Sequence, residues 1–390
     1  MKNFSTFGLP ESLVQSLNRL NIKIPTPIQE STIPAALLGK DIIGSAQTGT
    51  GKTVAFGIPL ITKLLRDEVN SALILLPTRE LATQVSNVLQ NLLGKNSAIR
   101  PVLLIGGDPI TKQLHRLKTK TRIFIGTPGR INDHLARGSL NFDLINFLVL
   151  DEIDRMLDMG FFIQIDKIIK ILPKRRQTLM FSATIPQDVI KIANSYLNKP
   201  ERISIQPSPI TESKIKQDTI HLDEAAKYQE LLNQIQLRSG SVLIFVKTKF
   251  GAERMAKRLR SEKHKTDAIH GDLRHNKREA VIKAFRNNKC RILVATDIAA
   301  RGLDIPHIEH VINFDLPQCP EDYIHRIGRT ARAGAKGESL SFITPSDKVK
   351  WNAIDRLLNM DHKTIVSHKR DSHKQRPSSK KRFSFKKRKK

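Results

Sequence analysis

Asp41-Ile42-Ile43-Gly44 is a short apolar run. After Ser45 it passes into Ala46-Gln47-Thr48-Gly49-Thr50-Gly51-Lys52-Thr53, and an apolar helical stretch opens at Val54. A strand, a glycine-bearing loop closed by Lys-Thr, and a helix make the P-loop pattern, with Ala46 where the strict form has glycine. Gly49 and Gly51 let backbone N–H groups close around phosphate oxygens, and the helix behind them points its N-terminus at the same place. Lys52 reaches the β- and γ-phosphates, and the Thr53 hydroxyl is suited to Mg²⁺. Gln47, Thr48, Gly49, Thr50, Gly51, Lys52 and Thr53 are therefore the expected nucleotide contacts.

The same punctuation recurs along the chain. Ala72–Leu76, Val102–Ile105, Arg122–Ile125, Phe147–Leu150 and Thr178–Phe181 are short apolar runs. Val242–Val246, Ala268–His270, Ile292–Ala295, His310–Phe314 and Leu340–Ile343 follow in the second half. Helical patterns such as Gly251–Ser261 and Arg278–Arg286 lie between them. Strands that are apolar on both faces and alternate with helices predict a parallel sheet covered on both sides, an α/β fold. Ligands of such sheets bind at the carboxyl ends of the strands. Residues 206–216, with two Pro, two Ser and a Thr, read as a linker between two α/β domains, 1–205 and 217–360.

The chain has 390 residues, which at about 150 per domain agrees with that division. Its 66 Lys and Arg against 37 Asp and Glu leave a net charge of +29, so a polyanionic partner, nucleic acid before membrane, is expected. Residues 361–390 hold thirteen of the basic residues and two Asp, a net of +11. That tail has almost no apolar periodicity and is expected to be disordered. Its end, Lys380–Lys390, interleaves Phe383 and Phe385 with eight basic residues, a composition suited to tethering RNA through charge and base stacking. Two cysteines, Cys290 and Cys319, are too few for a disulfide framework or a structural zinc site. No run is long and apolar enough to cross a membrane, and Met1–Pro10 lacks the apolar centre of a secretory signal. A cytoplasmic protein is expected.

Phe147-Leu148-Val149-Leu150 ends in Asp151-Glu152-Ile153-Asp154. Three carboxylates at the end of a buried strand need a compensating cation. Beside a P-loop that cation is Mg²⁺, held by Asp151 and Thr53, with Glu152 polarising the attacking water. Together the two motifs predict hydrolysis of a nucleoside triphosphate by in-line attack.

With these residues in order, the chain resembles the DEAD-box RNA helicases of superfamily 2 over roughly residues 4–345, and Asp151–Phe161 resembles the RhlE-type bacterial branch. The resemblance implies two tandem RecA-like domains, ATP and Mg²⁺ as cofactors, and RNA, as single strand and short duplex, as partner. Asn21–Gln29 resembles the family's Q motif, in which Gln29 reads adenine, and Phe4 matches an upstream aromatic near the base. Arg79, Gly107, Thr127 and Arg130 fall in motifs that grip the RNA backbone, and Thr296 does so in the second half. Ser182 and Thr184, with Asp154 and His325, would couple hydrolysis to RNA binding. Asp304 would meet the ATP ribose, and Arg329 and Arg332 would act as arginine fingers on the γ-phosphate.

Two positions depart from the family pattern. Ile153 stands where the family has Ala and is expected to crowd the metal side of the strand end. His275 stands where Gln is usual, ahead of a matching Arg278. The reading is an ATP-dependent RNA helicase. Two alternatives stay open at this level: an ATP-gated RNA-binding or annealing protein with little turnover, and a DNA translocase of the same superfamily.

Overall fold

A computed structural model describes residues 3–46, 49–95, 97–119, 121–205, 215–300, 307–331 and 336–358. Gln47, Thr48, Asp304, Arg332, most of the expected linker and the basic tail lie outside the described residues.

The first half forms a seven-stranded sheet from β1 (Ile42–Ser45), β2 (Ser71–Leu75), β3 (Pro101–Leu104), β4 (Ile123–Gly126), β5 (Ile145–Leu150), β6 (Gln177–Ser182) and β7 (Glu201–Ser204). Its order is β3-β4-β2-β5-β6-β1-β7, and every pairing is parallel. The second half forms a six-stranded sheet from β8 (Ile215–His221), β9 (Val242–Phe245), β10 (Thr266–Ile269), β11 (Ile292–Ala295), β12 (His310–Asn313) and β13 (Gly337–Ile343). Its order is β10-β11-β9-β12-β13-β8, again all parallel.

Successive residues of a strand point to opposite faces. Accordingly Ile42, Ile74, Val149 and Phe181 enter one core of the first sheet, while Ile43, Leu75, Leu150 and Met180 enter the other. In the second sheet Val242, Ile244 and Val294 enter one core, and Leu243, Phe245 and Leu293 its opposite. Helices seal both faces of each sheet, which is why the central strands read as unbroken apolar runs. This is the two-domain α/β architecture expected. The linker reading needs one correction: Ile215 and Lys216 are the first residues of β8, paired with Gly337 and Glu338.

Strand order decides what meets at the carboxyl ends. β5, β6 and β1 are neighbours, so the loops at Asp151, Ala183 and Ala46 converge. β2, β4 and β3 occupy the other half of the sheet and deliver Arg79, Thr127 and Gly107 side by side. One sheet thus presents two adjacent clusters of loops.

Candidate nucleotide site and RNA-facing loops

Gly49 and Gly51 have φ of +85° and +91°, a region where a Cβ is strained. A Cβ on Gly51 would also lie 2.3 Å from Gln29 Nε2. Gln29 braces this loop: its Nε2 donates to the Gly51 carbonyl (3.0 Å), and its Oε1 accepts from Thr26 N–H (3.0 Å) in a capping box. Thr26 Oγ1 donates to the Thr50 carbonyl at 2.8 Å. A primary amide has two hydrogens and two oxygen lone pairs. One of each suffices for these bonds, and the second of each is enough to read adenine. Phe4 differs from the expectation. It is buried in the first core, edge to face with Phe7 at 5.9 Å between centroids, and shows no open face for a base.

Lys52 opens the helix Lys52–Arg66, is buried, and donates from Nζ to the Ala46 carbonyl at 2.8 Å. Asp151 and Glu152 are both buried at the end of β5. Burial pushes the Asp151 carboxyl up to about 6; the Lys52 charge opposes the shift and Glu152 adds to it. Burial would raise Glu152 too. The charges of Arg155, Lys52 and Arg329 outweigh it and hold Glu152 below its ordinary value. Arg155 Nη1 lies 2.7 Å from Glu152 Oε2. Asp151 is the carboxylate left with the larger burial penalty, which is the position a divalent cation relieves. Its oxygens and the Thr53 hydroxyl are the hard donors Mg²⁺ takes, so the residues fit that ion.

Asp154 faces β6. Its Oδ2 accepts from Ala183 N–H and Thr184 N–H, both at 3.0 Å, and from Thr184 Oγ1 at 3.3 Å. The coupling contact expected of Ser182 and Thr184 is therefore made by Ala183 and Thr184. Ser182 Oγ is buried with no hydrogen-bond partner among the described residues, and it is the Ser182 carbonyl that holds Ala46 N–H at 3.1 Å. The expectation for Ile153 also changes. Its side chain is fully buried in the second core with Leu150, Met156 and Met180, so it points into the core and not into the carboxylate cluster.

From the second sheet, Arg329 is buried and its Nε donates to the His325 carbonyl at 3.0 Å, while its charge reaches Glu152. His325 Nδ1 lies 3.9 Å from Asp322 Oδ1. Thr296 follows β11, its carbonyl accepting from Ala300 N–H at 2.9 Å.

On the other half of the first sheet, Thr78 caps the helix Arg79–Leu93, its Oγ1 accepting from Leu81 N–H. The Arg79 guanidinium lies against Gly106, where a Cβ would stand 3.0 Å from its Nη2. Gly107 has φ +85°. Thr127 N–H donates to the Leu104 carbonyl at 3.2 Å, and Arg130 Nη1 donates to the Asp108 carbonyl at 3.1 Å. Arg79, Gly107, Thr127 and Arg130 thus line a ledge at the carboxyl ends of the adjacent strands β2, β4 and β3.

Three residues without an assigned role prove organising. Arg278 Nε meets Glu80 Oε1 at 2.5 Å, joining the second domain to the first, and its Nη2 donates to the Ala299 carbonyl at 2.7 Å. Arg326 binds Asp297 through two nitrogens (2.6 and 2.8 Å) and also donates to Asn313 Oδ1 at 3.1 Å. It thereby ties the helix Pro320–Ile327 to the ends of β11 and β12. The sequence signal for Glu80 and Arg326 was their place directly beside Arg79 and His325. Nothing in their spacing distinguished them from solvated charges.

The DEAD/DEAH box helicase family model matches residues 26–192, and the helicase conserved C-terminal domain matches residues 226–334. The ATP-dependent RNA helicase CshA of Listeria monocytogenes is 44% identical over 349 residues, 89% of this chain and 67% of that protein. The DEAD-box ATP-dependent RNA helicase CshA of Geobacillus kaustophilus is 41% identical over 358 residues, 91% of this chain and 76% of that one. Among solved structures, S. cerevisiae Dbp5 bound to RNA and ADP BeF3 superposes with a TM-score of 0.81 at 33% identity, covering 91% of this chain and 93% of that chain. A DEAD box protein from Methanococcus jannaschii gives 0.53 at 37% identity, covering 92% and 97%. These sequence relatives are CshA proteins and lend the RhlE-type branch no support. On the two matched regions and this identity across nine-tenths of its length, the chain belongs to the DEAD/DEAH box helicase family.

Proposed function

We propose that the chain is an RNA-stimulated ATPase that couples ATP hydrolysis and domain closure to local unwinding or remodelling of RNA duplexes or RNA–protein complexes. The observation that carries this reading is the contact of Arg278, in the second domain, with Glu80 of the first at 2.5 Å, which joins the domains with the buried Arg329 placed so that its charge acts on Glu152. A hydrolytic site divided in this way is complete only when the domains are together, so closure gates turnover.

The residues divide the work as follows. The P-loop backbone and Lys52 hold the phosphates, and Gln29 reads the base. Asp151 and Thr53 would hold Mg²⁺, which supplies charge neutralisation at the phosphates. Glu152, kept ionised by Arg155, Lys52 and Arg329, orients and polarises the water for in-line attack on the γ-phosphate. Arg329, joined by Arg332, neutralises charge that develops in the transition state. Asp154 transmits the state of the acidic turn to β6 through Ala183 and Thr184.

RNA lies along the ledge of Arg79, Gly107, Thr127 and Arg130 and continues to Thr296. These groups address phosphate and sugar, so binding is independent of base sequence. The tail at 361–390 raises local RNA concentration. The domains run 1–205 and from Ile215 onward about the linker, and the protein acts in the cytoplasm; no described helix is long and apolar enough to cross a membrane. The low-turnover alternative rested on Ile153 and His275, and the burial of the Ile153 side chain in the core weakens the first of these supports.

The test is steady-state ATP hydrolysis with and without single-stranded RNA, alongside strand separation of a short RNA duplex. Hydrolysis stimulated by RNA, with ATP-dependent separation, is expected. ATP binding without turnover in either condition would sink the proposal.

A further inference from the structure

Gln113 and His134 are fully buried polar residues on two different helices, Ile110–Leu117 and Pro128–Ala136, between the two loops that build the RNA ledge. Gln113 Nε2 donates to the Ile105 carbonyl at 2.8 Å and to the Asp108 carbonyl at 3.3 Å. These carbonyls bracket Gly106 and Gly107. Both amide hydrogens are thereby used, so Gln113 Oε1 must accept. It does so from His134 Nε2, 3.1 Å away. That contact puts a proton on Nε2; Nδ1 lies 2.8 Å from Ser139 Oγ, whose single hydrogen is shared with the His134 carbonyl at 2.9 Å. Burial first, then the Arg130 and Arg137 charges, hold His134 below its ordinary value against the pull of Asp133, which agrees with a neutral ring.

We infer that the Gln113–His134 pair is a positioning element for RNA: it presets the Gly106–Gly107 loop against the helix that carries Arg130. The inference rests on the reading of this ledge as the RNA groove. Two consecutive glycines lose more conformational freedom on ordering than any other pair. A loop that must be ordered by the ligand binds more weakly than one already held. The single amide of Gln113 grips the loop at both ends, and His134 ties that amide to the next ledge element. The Asp108 carbonyl accepts from Gln113 and from Arg130 together, so the loop, the amide and the arginine share one acceptor. Neither Gln113 nor His134 can touch RNA, since both are enclosed. Their effect is expressed in affinity for RNA and not in the chemical step.

The experiment measures ATP hydrolysis by the full chain against rising poly(U) RNA for wild type, His134→Asn, His134→Gln and Gln113→Met. A glutamine amide nitrogen reaches the position of imidazole Nε2, whereas an asparagine amide reaches only that of Nδ1. His134→Asn and Gln113→Met are expected to need at least about fivefold more RNA for half-maximal stimulation. His134→Gln is expected to stay within about twofold of wild type, and RNA-free turnover and the KM for ATP are expected to be unchanged in all three. Half-saturation within twofold of wild type in folded His134→Asn and Gln113→Met would overturn the inference. So would failure of both to fold while His134→Gln folds, since the pair would then serve the core alone. An unstimulated wild type would instead overturn the reading of the ledge as an RNA groove.

Discussion

Glu152 holds φ 52° and ψ 51°, a left-handed conformation that costs a residue with a Cβ about 1–3 kcal/mol and survives only where its surroundings impose it. Here the imposing contacts are visible: its N–H donates to Asp151 Oδ1 at 3.0 Å, and its carboxylate is clamped by Arg155. The strain turns the side chain away from the strand direction and toward Lys52 and Arg329. Glu152→Gln keeps the shape and removes the charge that polarises water. Expected is retained ATP binding with single-turnover hydrolysis reduced by about 10²–10⁴-fold. A loss below tenfold would mean that another group activates the water. His134 offers a second residue-scale test, through pH. Its folded-state pKa is depressed below the ordinary 6.5, with Arg130, Asp133 and Arg137 as the charges facing it. A depressed histidine contributes stability that is present above pH 6.5 and lost as pH falls through the folded value. The denaturant midpoint of wild type is therefore expected to decline on acidification below pH 6.5, and His134→Gln, which does not titrate, to decline less steeply.

At the scale of elements, the close pairing of β3 with β4 sets where the ledge begins. Gly126 ends β4, and a Cβ there would lie 2.4 Å from the Leu104 carbonyl oxygen, a backbone atom that cannot step aside as a side-chain tip can. Gly126→Ala must part the strands or move Thr127, whose N–H is bonded to that same carbonyl. A loss of about 1–3 kcal/mol in denaturant-induced unfolding is expected, together with weaker RNA stimulation. Wild-type stability in this variant would show that the strand pair has slack. The same scale explains which elements were legible. The eleven apolar runs all became strands because each lies inside a sheet or pairs along its length. β7 and β8 were missed because they lack an apolar run: Glu201-Arg202-Ile203-Ser204 buries only Ile203, and Ile215–His221 has no fully buried residue. The P-loop and acidic turn were legible because phosphate and metal chemistry prescribes residue types at fixed spacing. Gln113 and His134 were not, because a polar residue on a short helix looks solvated until its neighbours close over it. Ser182 misled for a related reason. The motif names three residues, and only register decides whether side chain or backbone faces Asp154.

For the whole molecule the decisive quantity is the free energy of bringing the domains together, and Glu80–Arg278 is the ion pair that acts on it directly. The pair is nearly enclosed: the Arg278 side chain keeps 11% of its exposure and Glu80 15%. Burial, first, holds Arg278 below its ordinary value, with the Glu80 charge opposing that shift and Arg79 adding to it. Because the partners belong to different domains, their contact exists only in the closed arrangement. Truncating Glu80 leaves the folding of its own domain nearly untouched and removes a contribution to closure alone, whereas truncating Arg278 also removes its buried bond to the Ala299 carbonyl within the second domain. Leaving one partner of an enclosed charge-assisted bond unmatched costs about 1.5–3 kcal/mol, roughly ten- to a hundredfold in the closed population. RNA-stimulated ATP hydrolysis of Glu80→Ala and of Arg278→Ala should fall by that factor. The melting transition of Glu80→Ala should be preserved, since Glu80 lies in an already capped helix, while that of Arg278→Ala should fall with the loss of its bond to the Ala299 carbonyl. The double variant should be no worse than the poorer single one, because once either partner is gone no interaction is left to lose. Independent, additive losses would instead assign Arg278 to its bond with the Ala299 carbonyl and place the control of closure elsewhere along the interface.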